Sequence, residues 1–434
     1  KDLLRFARKA DQRAYYEILM RILIYGLNFS PELTGIGKYT GDMAAHLVAQ
    51  GHEVRVISAP PYYPQWAISK PYTGWLYQRE QWSGVDVYRC PLWVPKKPSG
   101  IKRLLHLFSF TLSSFPVVLM QRNWEPEIII NIAPSLLSAL PALLLSKITN
   151  TKTWLHIQDF EVDAAFSLGL LEGGERIYKL AQKLELALFK HFDRVSTISH
   201  RMQECLWQKG VEQEKTVLFP NWIDTDLIKP VSQPSVFREE WEIADNQIVI
   251  LYSGNMGHKQ GLEILIDTAR SLIDVPEMLF LLCGDGAVRA ELQEKAQNLL
   301  NIRFYPLQPL ERLNDLLNLA DIHILPQRAD AADLVMPSKL SGILASGKVV
   351  VATASPTSEL GAVISKTGIL TSPGNVEELS KAFLALAKNS AQRAMLGKQG
   401  RRWVCSHWAK ERVLDAFEKQ LEDVLLLFRQ KWRN

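Results

Sequence analysis

The sequence predicts an α/β protein of two domains, each a doubly wound parallel sheet. Short apolar, β-branched runs such as Ile22-Leu23-Ile24, Ile128-Ile129-Ile130 and Ile248-Val249-Ile250-Leu251 recur along the 434 residues, as buried parallel strands do. Helix-periodic stretches separate them, the alternation that builds βαβ units. The length also exceeds what a single core holds.

Composition narrows the class. Hydrophobic content of 47% and charged content of 22% are those of a soluble globular chain, and a net charge of +4 is too mild to specify a polyanion partner. Cys90, Cys205, Cys283 and Cys405 lack metal-ligand spacing, so a reducing compartment without structural zinc is expected. Two stretches, Leu104 to Gln121 and Ile128 to Ser146, are nearly uncharged. His106, Pro116, Asn131, Pro134 and Pro141 argue against spanning a bilayer. The first reads as an amphipathic helix, the second as a strand and a core helix. No secretory signal is recognised, and residues 1–19 read as an extension ahead of Met20.

Residues 20–218 form the expected N-terminal domain. Arg21 to Gly26, Tyr39 to Gln50 and Val54 to Ile57 read as a βαβ unit. Its loop, Gly35-Ile36-Gly37, lacks the G-x-G-x-x-G spacing of a dinucleotide site, so no nicotinamide or flavin is expected. Pro60 through Trp82 is aromatic, proline-rich and irregular, which suggests a functional loop or packed lid. Lys96, Lys97, Lys102 and Arg103 lead into Leu104, Leu105, Leu107 and Phe108; cations beside an apolar helix suit an anionic lipid surface, against the plain alternative of a solvated loop. Without interleaved stacking aromatics, nucleic acid is not expected. Thr153 to Asp159 reads as a strand delivering Asp159, Glu161 and Asp163 to its carboxyl end. Carboxylates there can orient a sugar hydroxyl or accept its proton, or cap a helix.

Residues 219–245, with Pro220, Pro230 and Pro234, read as a linker, and Asp224 and Asp226 as turn caps in preference to metal ligands. Residues 246–408 form the second domain. The strand at Ile248 runs through Gly254, Gly257 and Gly261 into a helix, so backbone N–H groups and the helix dipole converge where a diphosphate can sit. Lys259 adds charge. Met278 to Cys283 is a strand ending at Gly284-Asp285-Gly286, followed by strands at Ile302 and Ile322. A polar loop with Asp330 and Asp333 precedes Ser338-Lys339, which open a helix and offer a second set of phosphate ligands. The last helix, Glu411 to Lys431 within 409–434, carries Val413, Leu414, Phe417, Leu421, Val424, Leu425 and Phe428 on one face and must pack on something.

Taken together, Asn28 to Tyr39, Phe219 to Asp224, Tyr252-Ser253-Gly254-Asn255 with Lys259-Gln260-Gly261, and Pro337-Ser338-Lys339-Leu340 resemble the retaining GT-B glycosyltransferases of family 4. Ala59 to Trp66 and His156 to Asp159 are most similar to the colanic acid biosynthesis fucosyltransferase type within it. The resemblance runs from Met20 to the C-terminus. It implies two Rossmann-like domains facing across a cleft and a nucleotide-diphosphate sugar donor, GDP-fucose-like or a UDP-sugar. It also implies a saccharide acceptor, lipid-linked, in exopolysaccharide biosynthesis at the cytoplasmic side of the membrane, with no metal required. Gly254, Asn255, Lys259, Gln260, Ser338 and Lys339 would hold the donor phosphates, with Gly35, Ile36 and Gly37 facing them. Gly284, Gly286 and Leu307 would border the base. Asp159 and Glu161 would meet the acceptor or transferred sugar, and the last helix would cross back to the N-terminal domain. The chain departs from the pattern at Leu334 and Gly342, where many members carry glutamates, which leaves Asp330 and Asp333 as substitutes for sugar recognition. Rival readings are a non-catalytic nucleotide-sugar-binding partner and an epimerase on the same scaffold.

Overall fold

The computed structural model describes residues 19–32, 35–96, 99–133, 136–160, 174–328 and 336–431, with main chain alone at Leu136, 174–177, Lys259, Phe428, Gln430 and Lys431. The chain divides into two compact units. The first ends at Ile198 and resumes at Gln203–Phe219 and from Leu414 onward; the second holds Ser199–Met202 and Pro220–Val413.

The first unit contains β1 (Arg21–Gly26), α1 (Gly35–Ala49), β2 (Glu53–Ser58), β3 (Gln78–Trp82), β4 (Val85–Arg89), α2 (Gly100–Met120), β5 (Ile128–Ala133), α3 (Ala139–Thr149), β6 (Lys152–Ile157), α4 (Gly174–Lys190), β7 (Arg194–Thr197), α5 (His200–Gln208) and β8 (Thr216–Leu218). Its sheet has the order β3-β4-β2-β1-β5-β6-β7-β8. From β1 the chain winds outward on one side and then on the other, so the carboxyl ends of β1 and β5 flank a topological switch point. All pairings are parallel except β3 with β4. That hairpin corrects the expectation that Pro60 through Trp82 is irregular throughout. Gln78-Arg79-Glu80-Gln81-Trp82 is a polar edge strand, and edge strands carry no apolar run to announce them.

The second unit contains α6 (Phe237–Glu240), β9 (Ile248–Ser253), α7 (Glu263–Ser271), β10 (Met278–Cys283), α8 (Arg289–Lys295), β11 (Ile302–Tyr305), α9 (Leu313–Leu319), β12 (Ile322–Pro326), α10 (Lys339–Ala345), β13 (Val349–Thr353), α11 (Glu359–Thr367), β14 (Ile369–Thr371), α12 (Val376–Lys388) and α13 (Ser390–His407). The all-parallel sheet runs β11-β10-β9-β12-β13-β14, with its switch between β9 and β12. Ile250, Phe280, Leu282 and Ile324 fill a core with Leu265 and Phe383 from the covering helices.

Residues 220–245, expected as linker, belong to the second unit. Phe237, Trp241 and Ile243 are buried against Val249, Leu251 and Leu279, and Arg401 donates to Thr225 O and Ile228 O, both at 2.7 Å. Prolines give this stretch the look of a tether, but its aromatic residues close one face of the sheet. Asp224 Oδ1 accepts from the N–H of Asp226 and of Leu227, which makes it a turn cap.

The last helix, α14 (Lys410–Lys431), leaves the second unit at Val413 and packs on the first from Leu414. Phe417 stacks on Phe219 at 3.9 Å and meets Trp154 edge-on at 5.1 Å. Leu414, Leu421 and Leu425 are buried beside it. Truncating a buried aromatic that makes two ring contacts removes both transfer energy and packing. Phe417→Ala is expected to destabilise the first unit by about 3–5 kcal/mol, read as a lowered thermal unfolding midpoint.

Candidate functional site

In the second unit the carboxyl ends of β9 and β10 continue as paired backbone. Gly254 N donates to Cys283 O at 2.8 Å, Met256 N to Asp285 O at 2.7 Å, and Val288 N to Met256 O at 3.1 Å. The two segments lie so close that a Cβ on Gly284 would stand 1.9 Å from Gly254 O, and one on Gly286 2.3 Å from Met256 O. Their φ values of 155° and 150° lie in a region that side chains rarely adopt. Gly284 and Gly286 are therefore spacing residues first.

This arrangement corrects the expectation at Gly254. The amides of Gly254 and Met256 are spent on the carbonyls of Cys283 and Asp285 and are not open to a phosphate. Gln260 Oε1 accepts from Gly257 N at 3.1 Å and caps the single turn His258–Gln260. Asn255 is exposed, and its carbonyl accepts from Tyr252 Oη at 2.5 Å. The side chain of Lys259, and the whole of Asp330, Asp333 and Leu334, lie outside the described residues.

Lys339 is the cation the fold delivers. Its Nζ donates to Tyr252 Oη at 2.6 Å and lies 4.2 Å from that ring's centroid. A Cβ on Gly254 would stand 2.5 Å from Lys339 Cε, so the glycine is what admits this side chain to the end of β9. Burial lowers the ammonium pKa to about 8, because the charged form loses its water. Ser338 beside it is exposed. Gly342, one of the two positions where the family pattern has glutamate, is buried in α10, with Leu317 Cδ1 3.4 Å from where its Cβ would be. Leu307 is 68% exposed just past β11.

A pocket of about 370 Å³ opens beside this loop, lined by Gly261, Ile264, Gln327, Arg328, Thr353 and Gly374 among others. Arg328 lies against Gly261, whose φ of 62° and 2.7 Å approach to Arg328 Cγ leave no room for a side chain. The pocket lies outside the ends of β12, β13 and β14, where ligands of open α/β sheets bind. Arg328 was not singled out from the sequence; its position after a strand at the switch point was the available signal.

The first unit has its own polar centre at the end of β1. Glu32, 5% exposed, accepts from Tyr62 N at 3.1 Å, Tyr63 N at 3.0 Å and Asn28 Nδ2 at 3.0 Å. Burial pushes its carboxyl pKa up, against the downward pull of these bonds and of Arg89. Arg89 is fully buried and donates to Glu80, Ser58 Oγ, Ala59 O and Ser30 O. Together they tie the segment before α1 to the aromatic stretch at Tyr62. Gly35, with φ of 63°, opens α1; Gly37 is buried where a Cβ would meet Glu32 Oε2 at 2.4 Å, and Ile36 O accepts from Thr40 Oγ1. Neither Glu32 nor Arg89 stands out in the sequence.

Asp159 is exposed just beyond β6, while Glu161 and Asp163 lie outside the described residues. His156 on the same strand is buried, with Nδ1 2.9 Å from Ser196 Oγ, and burial lowers its pKa to about 3. It is a neutral core residue. Lys96, Lys102 and Arg103 border the start of α2, and Lys97 is outside the described residues. Arg103 lies 5.4 Å from the Trp66 ring.

Sequence comparison matches residues 34–222 to the glycosyl transferase 4-like domain and residues 235–403 to glycosyl transferases group 1. The putative colanic acid biosynthesis glycosyl transferase WcaI of Escherichia coli K12 is 48% identical over 348 residues, spanning 79% of this chain and 85% of that protein. The chain belongs to the family 4 glycosyltransferases. Solved structures agree on a two-domain GT-B fold. Sucrose-phosphate synthase from Thermosynechococcus elongatus superposes with a TM-score of 0.69 at 18% identity, covering 94% of this chain and 99% of that one. Anabaena Alr3699/HepE in complex with UDP gives 0.65 at 17%, covering 93% and 100%. The epimerase and non-catalytic readings yield to a glycosyltransferase.

A group whose folded pKa is depressed below its unfolded value of about 10.4 costs stability while both states are protonated. As pH rises from about 8 toward that value the folded state loses its proton first, so relative stability rises. Wild type is expected to gain on Lys339→Met by roughly 1.4 kcal/mol per pH unit in that window, read as a rise of the wild-type unfolding midpoint relative to that of the variant between pH 8 and 10.

Proposed function

We propose that this glycosyltransferase moves a hexosyl or deoxyhexosyl group, with retention, from a nucleotide-diphosphate sugar of the GDP-fucose or UDP-sugar class to a lipid-linked saccharide. The product belongs to exopolysaccharide assembly of the colanic acid kind. The observation that carries the donor assignment is Lys339, held over Gly254 at the end of β9. A diphosphate leaving group develops charge, and a preorganised ammonium in a partly dry site stabilises it. Lys259 on the adjacent turn and Arg328 at the pocket would supply further charge, which supports the reading that transfer at this site needs no metal. Ser338 would add a hydroxyl. The exopolysaccharide assignment rests on the identity to WcaI, and the nucleotide on the UDP named with the Anabaena structure. Asp159 and Glu161 would meet the sugar or acceptor.

An unliganded Lys339 of lowered pKa takes up a proton when a diphosphate arrives. Donor affinity is therefore expected to fall as pH rises above about 8. Thermal stabilisation across GDP, UDP, ADP and their sugars, with Lys259→Ala and Lys339→Met alongside, tests this. One nucleotide should stabilise wild type, and each variant should weaken the effect by about a hundredfold in affinity or transfer rate, the usual scale for losing one such donor. No stabilisation by any nucleotide would sink the donor assignment, and an inverted anomeric configuration in the product would sink retention.

Membrane attachment is proposed through α2. Its inner face buries His106, Phe110, Ser114 and Val118, with Ser114 Oγ 2.7 Å from Tyr25 Oη. Its outer face exposes Ile101, Leu104, Leu105, Phe108, Leu112 and Phe115. Among the described residues it is the helix long and apolar enough to cross a bilayer, yet its polar groups bond inward to the sheet. An apolar outer face with Lys96, Lys102 and Arg103 at one end suits lying on an anionic leaflet, peripheral at the cytoplasmic side. Wild type is expected to float with phosphatidylglycerol vesicles, and Leu105→Asp with Phe108→Asp to stay in solution while keeping nucleotide binding. Equal flotation of both would overturn the proposal.

A further inference from the structure

Where α14 first rests on the first unit, Asp415 and Glu418 sit three residues apart and so share one helix face. His46 of α1 meets them. Its Nε2 is buried and has no hydrogen-bond partner, yet it stands 3.4 Å from Glu418 Oε2 and 3.5 Å from Asp415 Oδ1. One ligand atom from each residue lies within 4.8 Å of the other two. His52 donates to the other Glu418 oxygen at 3.0 Å. Its Nδ1 accepts from Met20 N at 3.3 Å, which leaves the proton on Nε2.

These spacings are long for hydrogen bonds but suit a shared cation. Ligands about 2.0 Å from a tetrahedral metal are separated by roughly 3.3 Å, close to what His46 makes with both carboxylates. The set of one imidazole and two carboxylates suits a first-row divalent ion, and a hydrogen bond to a ligating carboxylate is the usual outer-shell support. The side chain of Asp415 is 60% exposed, which gives an ion a way in and a place for water as fourth ligand.

We propose that His46, Asp415 and Glu418 form a zinc-class divalent cation site, with His52 positioning Glu418. The ion would pin the start of α14 to α1 immediately after the chain passes from one unit to the other. It shares no residue with the donor-phosphate loops and has no part in sugar transfer, so the proposal stands or falls apart from the functional one.

The test is equilibrium dialysis of the full, metal-stripped chain against Zn²⁺, with metal analysis and thermal unfolding. Wild type should hold one zinc per chain and unfold at a higher temperature with it. Asp415→Asn and His46→Gln should each bind at least about tenfold more weakly while unfolding as wild type does without metal. Should His46→Gln fail to fold, Asp415→Asn decides, because it alters an exposed group at constant size. Binding to Co²⁺ should give a low-coordinate visible spectrum that Asp415→Asn abolishes. No zinc held by wild type, or equal binding by wild type and Asp415→Asn, would overturn the site and leave an ion-pair cluster.

Discussion

The second unit depends on backbone resting on backbone at the ends of β9 and β10. Two strand ends can continue as a paired loop only if one lacks Cβ atoms where it faces the other, and Gly284 and Gly286 meet that condition. The pairing fixes Gly254, and Gly254 leaves the space that the Lys339 stem fills. A cation is thereby placed in partly desolvated surroundings with a phenol hydroxyl as its partner. Such a lysine is destabilised while it waits. In the proposed donor site an arriving anion would relieve that cost, so the strain would become selectivity for a charged ligand over a neutral one.

The first unit solves a related problem with charge. Its β1 end must hold an irregular segment against a second irregular segment some thirty residues on, and loops have no ladder to align them. Glu32 supplies acceptors for two consecutive amides, Tyr62 and Tyr63, and Arg89 supplies donors to Ser30 and Ala59 carbonyls from the next strand over. A buried guanidinium with four polar partners is satisfied. Removing Glu32 would leave the Tyr62 and Tyr63 amides without that acceptor, and removing Arg89 would leave the Ser30 and Ala59 carbonyls without that donor, which is the costly case in the interior.

Much of this was legible in the sequence because the signals were local. Apolar runs marked β1, β5, β9, β10 and β13, glycine positions marked the loops, and the spacing of Leu414, Phe417, Leu421 and Leu425 marked one face of α14. What stayed hidden depends on partners distant in sequence. Arg89 reads as an ordinary strand residue until Glu80 and Ser30 are brought to it. Gly254 reads as a phosphate ligand until its amide is found on the Cys283 carbonyl. The segment 220–245 reads as a linker because proline content is local, whereas the burial of Phe237 and Trp241 is decided by strands farther on.

α2 mixes the two cases, since its apolar, cation-flanked character is local while the choice of polar residues that turn inward is not. Its inner face takes His106 and Ser114 along with Phe110 and Val118, and leaves Leu105, Phe108 and Leu112 outside. The inward turn of the polar pair has a physical reason. Tyr25 on β1 presents a hydroxyl in the core that needs a partner, and Ser114 provides one at 2.7 Å; His106 likewise answers the Trp93 carbonyl at 2.7 Å. Once those bonds and the burial of Phe110 and Val118 set the rotation of the helix, Leu105, Phe108 and Leu112 face outward. A soluble protein with no use for that face would gain by exchanging Leu105 or Phe108 for polar residues, since neither contributes to the bonds that hold the helix. Their exposure beside Lys102 and Arg103 is the observation on which the proposed lipid-facing surface rests.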